Sequence, residues 1–352
     1  MITEISLQHF RSYDAATFEF GPNVNIVVGP NTAGKTNLLE ALLVIARGGS
    51  YRAHDAELVG FGTPWARLDA RVGEQRRTVK LQKVGERVIK SFDIDGQIVS
   101  RLHHSRTLPV VLFEPNHLLR LSSVPDLRRA FLDDLIEQTN PGFSVIRRQY
   151  KRVLTQRNAL LKQNPPNVSQ QLFVWNIRLS ELAGKVVRAR QGLIETCNDR
   201  LPAIYDGLSH SSASIALEYQ TSIVGDYETA LLRKLEQHVD VDVARGYTVH
   251  GPHRDDANVL LKGHVLQDTA SRGEVRSVVL ALKIVEMELL ERARDIRPIL
   301  LLDDVFSELD SERRKALTGY VQQYQTFITT TDADDVAKSF QKRKIVRLSS
   351  LG

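Results

Sequence analysis

The segment GPNTAGKT, residues 29–36, constrains this chain more than any other stretch. It fits G-x-x-x-x-G-K-[ST] and lies between an apolar run, VNIVV at 24–28, and a helix-like stretch, NLLEALLVIA at 37–46. The context matters as much as the pattern. Strand, glycine loop and helix in that order aim successive backbone N–H groups at phosphate oxygens, with the helix dipole behind them. Gly29 and Gly34 permit the turn, and Pro30, Asn31, Thr32 and Ala33 complete the loop. Lys35 then serves as a cation for the β and γ phosphates of a nucleotide, Thr36 offers a hydroxyl to Mg2+, and Asn37 follows in the first helical turn. The plainer alternative is a glycine turn that caps an amphipathic helix.

A phosphate loop of this kind needs a carboxylate from a neighbouring strand to orient the metal. LLLDDVFSELD, residues 300–310, offers one. Residues 299–302 have the length and composition of a buried parallel strand, and carboxylates at the carboxyl end of such a strand face the crevice where open α/β sheets bind ligands. Asp303 is the candidate for Mg2+, and Asp304 for polarising an attacking water. A strand ending in a solvated acidic turn would read the same way on its own. Loop and acidic strand lie near opposite ends of a 352-residue chain, whereas a small P-loop kinase or GTPase fits within about 100–200 residues. A large insertion must separate them. The guanine-reading pattern N-K-x-D is absent, which argues against a GTPase.

A third segment, TASRGEVRSVVLALKIVEMELLERA at 269–293, predicts a long helix starting near Ser271. Ser271 and Glu274 form S-x-x-E, a capping box in which each side chain satisfies an orphan amide. That reading leaves Gly273 without a task. The other reading takes Ser271, Gly273 and the helix amino terminus as an anion site for a nucleotide's γ-phosphate. Both stand at this point.

Composition narrows the class without deciding it. The formal charge of +5 and a pI near 9.2 are compatible with a phosphate-rich partner and diagnostic of none. One cysteine, Cys197, excludes an intrachain disulfide. The start, MITEISLQHF, lacks the basic and apolar regions of a signal peptide, and no apolar run approaches the roughly 20 residues of a membrane span. A cytoplasmic location is the expectation.

The fold class expected is α/β. Residues 1–116 hold alternating strands around the loop, with 68–72, 78–84 and 87–96 as an antiparallel set. Residues 117–240 turn helical, with NPPN at 164–167 breaking two long helices apart, and residues 241–352 return to the nucleotide-binding part. Arg147, Arg148, Lys151, Arg152, Lys185, Arg188 and Arg190 on these helices could neutralise DNA phosphates or simply form a solvated face. Lys342 and Lys344 in the tail are further cations of this kind. His250 and His253 in HGPHRDD read as a hydrogen-bonded structural turn rather than a metal pair.

GPNTAGKT, SRGE opening a helix, and LLLDDVFSELD, in that order, resemble the ABC-type ATPases of the SMC and Rad50 group. The opening at 7–42, the stretch PVVLFEPNHLLRL with PDLRRAFLD (109–133) and HGPHRDD (250–256) resemble, within it, the RecF family of bacterial recombination and repair proteins. The resemblance implies an ATPase head, a mixed sheet plus an antiparallel β-subdomain, with an inserted helical arm far shorter than an SMC coiled coil. It further implies that two heads close on two ATP molecules, with Ser271 and Gly273 acting in trans on the partner's γ-phosphate. SELD, with Ser307 and Asp310, corresponds to the D-loop. Arg11 would lie near the phosphates unless it is a surface arginine at a strand end. The Q-loop falls near Glu114 and Asn116.

Two departures imply slow hydrolysis. Asp304 replaces the usual glutamate, and Thr330 or Thr331 takes the switch position usually held by histidine. The signature also ends in glutamate where relatives carry glutamine. The partners implied are double-stranded and gapped DNA, a second copy of the chain, and the mediators RecR and RecO. An ATP-driven DNA clamp and a nucleotide-gated binding module with negligible turnover both remain open. A small-molecule P-loop kinase fits poorly, because the signature motif is present and an acceptor lid is not.

Overall fold

The structure, a computed structural model, describes residues 1–114, 124–332 and 336–349. Among these, the strands in chain order are β1 (Ile2–Phe10), β2 (Tyr13–Glu19), β3 (Val24–Val28), β4 (Trp65–Val72), β5 (Gln75–Val84), β6 (Arg87–Ile94), β7 (Gln97–Val99), β8 (Val110–Phe113), β9 (Ile215–Gln220), β10 (Asp256–Leu261), β11 (His264–Val265), β12 (Ile299–Leu302), β13 (Thr326–Thr330) and β14 (Arg343–Arg347). The helices are α1 (Lys35–Arg47), α2 (Asp55–Leu58), α3 (Pro125–Thr139), α4 (Phe143–Gln163), α5 (Val168–Ser209), α6 (Tyr227–Gln237), α7 (Val239–Arg245), α8 (Leu266–Thr269), α9 (Arg272–Arg294) and α10 (Ser311–Val321). The chain forms two compact units, residues 1–117 with 286–352, and residues 118–285. The sequence reading placed the return to the nucleotide-binding part at 241; the contacts place it inside α9.

The first unit contains two sheets. One is wholly parallel, in the order β14-β3-β13-β12-β8, and the other is antiparallel, in the order β2-β1-β4-β5-β6-β7. The mixture expected from the sequence is thus a mixture of sheets. Every residue of β8, β12 and β13 is buried, as short apolar runs covered on both faces require. β4 and β5 instead alternate, turning Ala66, Leu68, Val79 and Leu81 inward.

Helix α1 shares one core with both sheets. Its residues 38–46 are all buried, and Leu38, Leu39 and Leu42 join Ile5, Leu7 and Phe10 of β1 with Leu301 and Phe327 of the parallel sheet. A helix apolar all round must be covered all round, which explains the near-absence of polar residues in NLLEALLVIA. Each such leucine contributes about 1.5–3 kcal/mol through burial. A buried amide adds a specific joint: Gln325 accepts from Ile2 N at 2.8 Å and donates to Ile2 O at 2.6 Å, tying the start of β1 to the entry of β13.

The second unit is built on α3, α4 and α5, with a three-stranded antiparallel sheet, β11-β10-β9. Asn164 and Asn167, both at positive φ, end α4 and begin α5 around the two prolines. The buried stripe of α4, Phe143, Tyr150, Val153 and Leu161, also contains Arg157, which is fully buried. Its Nε donates to Asn176 Oδ1 (2.8 Å) and its Nη1 to Asp242 Oδ2 (2.7 Å) and Thr248 Oγ1 (2.6 Å), fastening α4 to α5 and α7.

Candidate nucleotide-binding site

The loop between β3 and α1 has the conformation its glycines allow. Gly34 adopts φ 82° and ψ 13°, the left-handed region that glycine enters without a side-chain clash. At Gly29 the constraint is space, since a Cβ there would lie 2.8 Å from the Leu348 carbonyl oxygen and 3.0 Å from Ala33 Cβ. Pro30, Asn31 and Thr32 are exposed at the tip, while Ala33 is buried beneath. Lys35 Nζ donates to the Gly29 and Pro30 carbonyls at 2.7 and 2.9 Å, which leaves one of its three protons for another acceptor. Burial holds its pKa below the ordinary lysine value, opposed by the nearby charges of Asp304 and Asp303.

The acidic pair stands at the carboxyl end of β12, next to the loop. Thr36 Oγ1 donates to Asp303 Oδ1 at 3.1 Å. Neighbouring oxygen ligands of an octahedral Mg2+, each about 2.0–2.1 Å from the ion, stand roughly 2.9 Å apart. The Thr36–Asp303 pair has nearly that spacing and offers only hard oxygen donors. These residues fit Mg2+ shared with phosphate oxygens and water. Asp304 is exposed and takes φ 52°, a left-handed conformation that costs a non-glycine residue roughly 1–2 kcal/mol.

Of the threonines at 329–331, the one that reaches this pair is Thr329, outside the two positions singled out from the sequence. Its hydroxyl donates to Asp303 Oδ1 at 2.7 Å and accepts from Asp304 N at 2.9 Å. Thr330 Oγ1 turns away, donating to Asp332 O and accepting from Asp332 N, and Thr331 is exposed. A three-threonine run does not reveal which hydroxyl faces the neighbouring strand; the register Thr329↔Val27 and Ile328↔Leu302 does.

A polar layer behind the loop was also hidden from sequence reasoning. Arg11 donates through Nε and Nη2 to the buried carboxylate of Glu40, at 2.7 and 2.9 Å. Arg52 bridges Glu40 and Asn37, Asn37 donates to Ser12, and Tyr13 OH donates to Gly34 O at 3.0 Å. Burial raises the pKa of Glu40, but hydrogen bonds from Arg11, Ser50 and Arg52 outweigh it and hold the carboxyl below its usual range. Arg11 is therefore committed to Glu40 in this structure. The advance signal was a single glutamate within the apolar run 38–46 of α1.

Asp310 caps α10 by accepting from Arg313 N at 2.9 Å, and Ser307 Oγ donates to Asp304 O at 2.7 Å. Glu114 is buried directly after β8, and Asn116 lies outside the described residues. In the second unit the capping box is formed: Ser271 N donates to Glu274 Oε2 at 2.8 Å, and Glu274 N donates to Ser271 Oγ at 3.2 Å. A hydrogen bond from Lys262 holds Glu274 down at about 2. Gly273 lies in the first turn of α9.

The helix cations divide. Arg148, Lys151, Arg152, Lys185 and Arg188 are exposed, Arg188 with an ion pair to Glu228. Arg147 is half-exposed among Asp133, Asp134 and Glu137. Arg190 must be withdrawn from the DNA-facing set. It is 4% exposed, clamps Asp133 through two hydrogen bonds and donates to Pro252 O, because it occupies the buried stripe of α5. Lys344 lies 3.5 Å from Glu19. His253 is the hydrogen-bonded histidine expected in its turn, joined to Tyr150 OH and Thr248 O.

Residues 1–350 match the family described as RecF/RecN/SMC N terminal domain. The DNA replication and repair protein RecF of Acetivibrio thermocellus is 34% identical over 347 residues, covering 95% of this chain and 94% of that protein. The solved structure of the recombination mediator protein RecF-ATP in the RecFOR pathway is similar at a TM-score of 0.86 and 27% identity, over 95% of this chain and 93% of that one. The RecF-ATPrS structure of the same pathway gives 0.87 and 25%, over 100% and 98%.

Proposed function

This chain belongs to the RecF family, within the RecF/RecN/SMC group, and on that premise we propose that it is an ATP-gated DNA clamp of replication and repair. The observation that carries the proposal is the phosphate loop facing a metal-orienting carboxylate, with Thr36 hydrogen-bonded to Asp303. Related proteins solved with ATP support ATP as the nucleotide.

In this reading the loop amides from Asn31 to Asn37 and the Lys35 ammonium hold the triphosphate. Thr36 and Asp303 hold Mg2+, which when bound neutralises phosphate charge. Asp304 orients the attacking water through its exposed carboxylate. Ser271 and Gly273 of a second copy complete the γ-phosphate site, so ATP joins two chains head to head, and Ser307 and Asp310 relay between them. Hydrolysis in this reading is weak, because aspartate is one methylene shorter than the usual glutamate and no imidazole occupies the switch position, and it is stimulated by DNA. Closed, the pair holds duplex DNA near single-strand gaps; hydrolysis releases it, and RecR and RecO take over to load recombinase. Such binding is sequence-independent and weakens with salt, carried by cations such as Arg148, Lys151, Arg152, Lys185 and Arg188. The compartment is the cytoplasm; no helix among the described residues is long and apolar enough to cross a membrane.

Replacing Lys35 with Met tests the site. Fluorescent ATP titration is expected to show loss of nucleotide binding, and light scattering loss of the ATP-dependent dimer. Unchanged ATP affinity in this variant would overturn the assignment of the loop.

A further inference from the structure

We propose that Thr329 is a positioning residue of the nucleotide site, holding Asp303 in its metal-binding orientation and fixing the turn that presents Asp304. The inference rests on the proposed ATP and Mg2+ chemistry and adds a residue to it.

The geometry singles out Thr329 on three counts. It is 1% exposed, on β13, which pairs with β3 on one side and β12 on the other. Its hydroxyl sits between the strand that leads into the phosphate loop and the strand that ends in the acidic pair. Its two shorter hydrogen bonds are directed at that pair, one to the Asp303 carboxylate and one from the Asp304 amide, with the Leu302 carbonyl farther off at 3.5 Å. A threonine that merely filled its strand would need neither.

The chemistry explains why a second hydroxyl is needed. Asp303 Oδ1 accepts from both Thr36 and Thr329. Thr36 is itself a metal ligand in the proposed site, so it cannot orient Asp303 independently of the ion. Thr329 can, because it acts from behind. Donors of this kind fix a ligating carboxylate before the metal arrives, and removing them typically weakens metal affinity 10–100-fold. The bond from Asp304 N serves the other residue. Asp304 stands in a strained left-handed turn, and a hydrogen bond to its amide offsets part of that cost.

The test compares Thr329→Val, which keeps shape and strand preference but loses the hydroxyl, with Thr329→Ser, which keeps the hydroxyl. Binding of a fluorescent ATP analogue is measured against Mg2+ concentration, and Mn2+ binding by electron paramagnetic resonance, with no turnover required. Thr329→Val is expected to raise the half-saturating metal concentration roughly 10–100-fold. Its metal-free nucleotide affinity should stay within about threefold of the parent, and Thr329→Ser should restore metal dependence to within about threefold. Thermal melting of both variants identifies loss of fold. If Thr329→Val melts below the assay temperature, Thr329→Ser decides alone: parental metal dependence supports the role, and loss comparable to that expected for valine refutes it. A folded Thr329→Val with parental metal dependence also refutes it. Failure of the parent protein to bind nucleotide with Mg2+ would instead refute the nucleotide site itself.

Discussion

Thr36, on the first turn of α1, and Asp303, after β12, are 267 residues apart in the chain and 3.1 Å apart in space. The parallel order β3-β13-β12 produces this meeting, since one intervening strand, β13, separates the loop from the acidic pair and contributes Thr329 to that pair.

Asp303→Asn removes the charge that accepts from Thr36 and that, in the proposed site, would hold Mg2+. Nucleotide-loaded complexes on DNA should then persist, with dissociation slowed at least about tenfold, as read by surface plasmon resonance. Dissociation at the parental rate would show that hydrolysis does not time release, and the protein would be a nucleotide-gated binding module.

Ser271 and Glu274 cap the same helix reciprocally, so replacing either by Ala should cost about 1 kcal/mol in denaturant stability. Only Ser271→Ala should also abolish the ATP-dependent dimer in light scattering. Equal loss in both variants would make the motif a helix cap and nothing more.

The Arg157–Asp242 pair is wholly buried. Asp242→Ala strands a guanidinium that also bonds Asn176 and Thr248, and burial already lowers the pKa of that arginine. Urea denaturation should show a loss of about 3–5 kcal/mol. A loss below about 1 kcal/mol would mean that the site relaxes to admit water.

His253 gives the second unit an acid sensitivity. Nε2–H donates to the Thr248 carbonyl and Nδ1 accepts from Tyr150 OH, an arrangement that suits the neutral ring. Burial lowers its pKa to about 4, with Arg254 and Arg129 adding to the effect. The unfolded chain takes up that proton near pH 6.5, the folded chain near 4, so stability falls as pH drops through this interval and levels below it. Urea midpoints at pH 7, 6 and 5 should decline in the parent and decline less in His253→Gln. Parallel declines would place the sensitivity elsewhere.

What could be read from the sequence was what is local. The loop, the strand at 299–302 and the helix beginning at 272 each carry their own pattern of glycine, apolar run or cap. Arg157 and Arg190 show the limit. Both stand at helical spacing within apolar stripes, 150-153-157-161 and 183-186-190-194, yet their charge outweighs that spacing in a sequence reading, which puts Arg190 among the DNA-facing cations and does not single out Arg157. Their partners, Asp242 and Asp133, come from distant segments that no spacing identifies. Glu40 is the same case in α1, with Arg11 and Arg52 supplied from outside the helix.

The most direct test of the account is sedimentation velocity of the intact chain at micromolar concentration, with Mg2+ and duplex DNA, in the presence and absence of ATP. The account predicts a monomer without nucleotide and a dimer with it, the dimer lost when Ser271 is replaced by Ala. A chain that remains monomeric with ATP and DNA would contradict it.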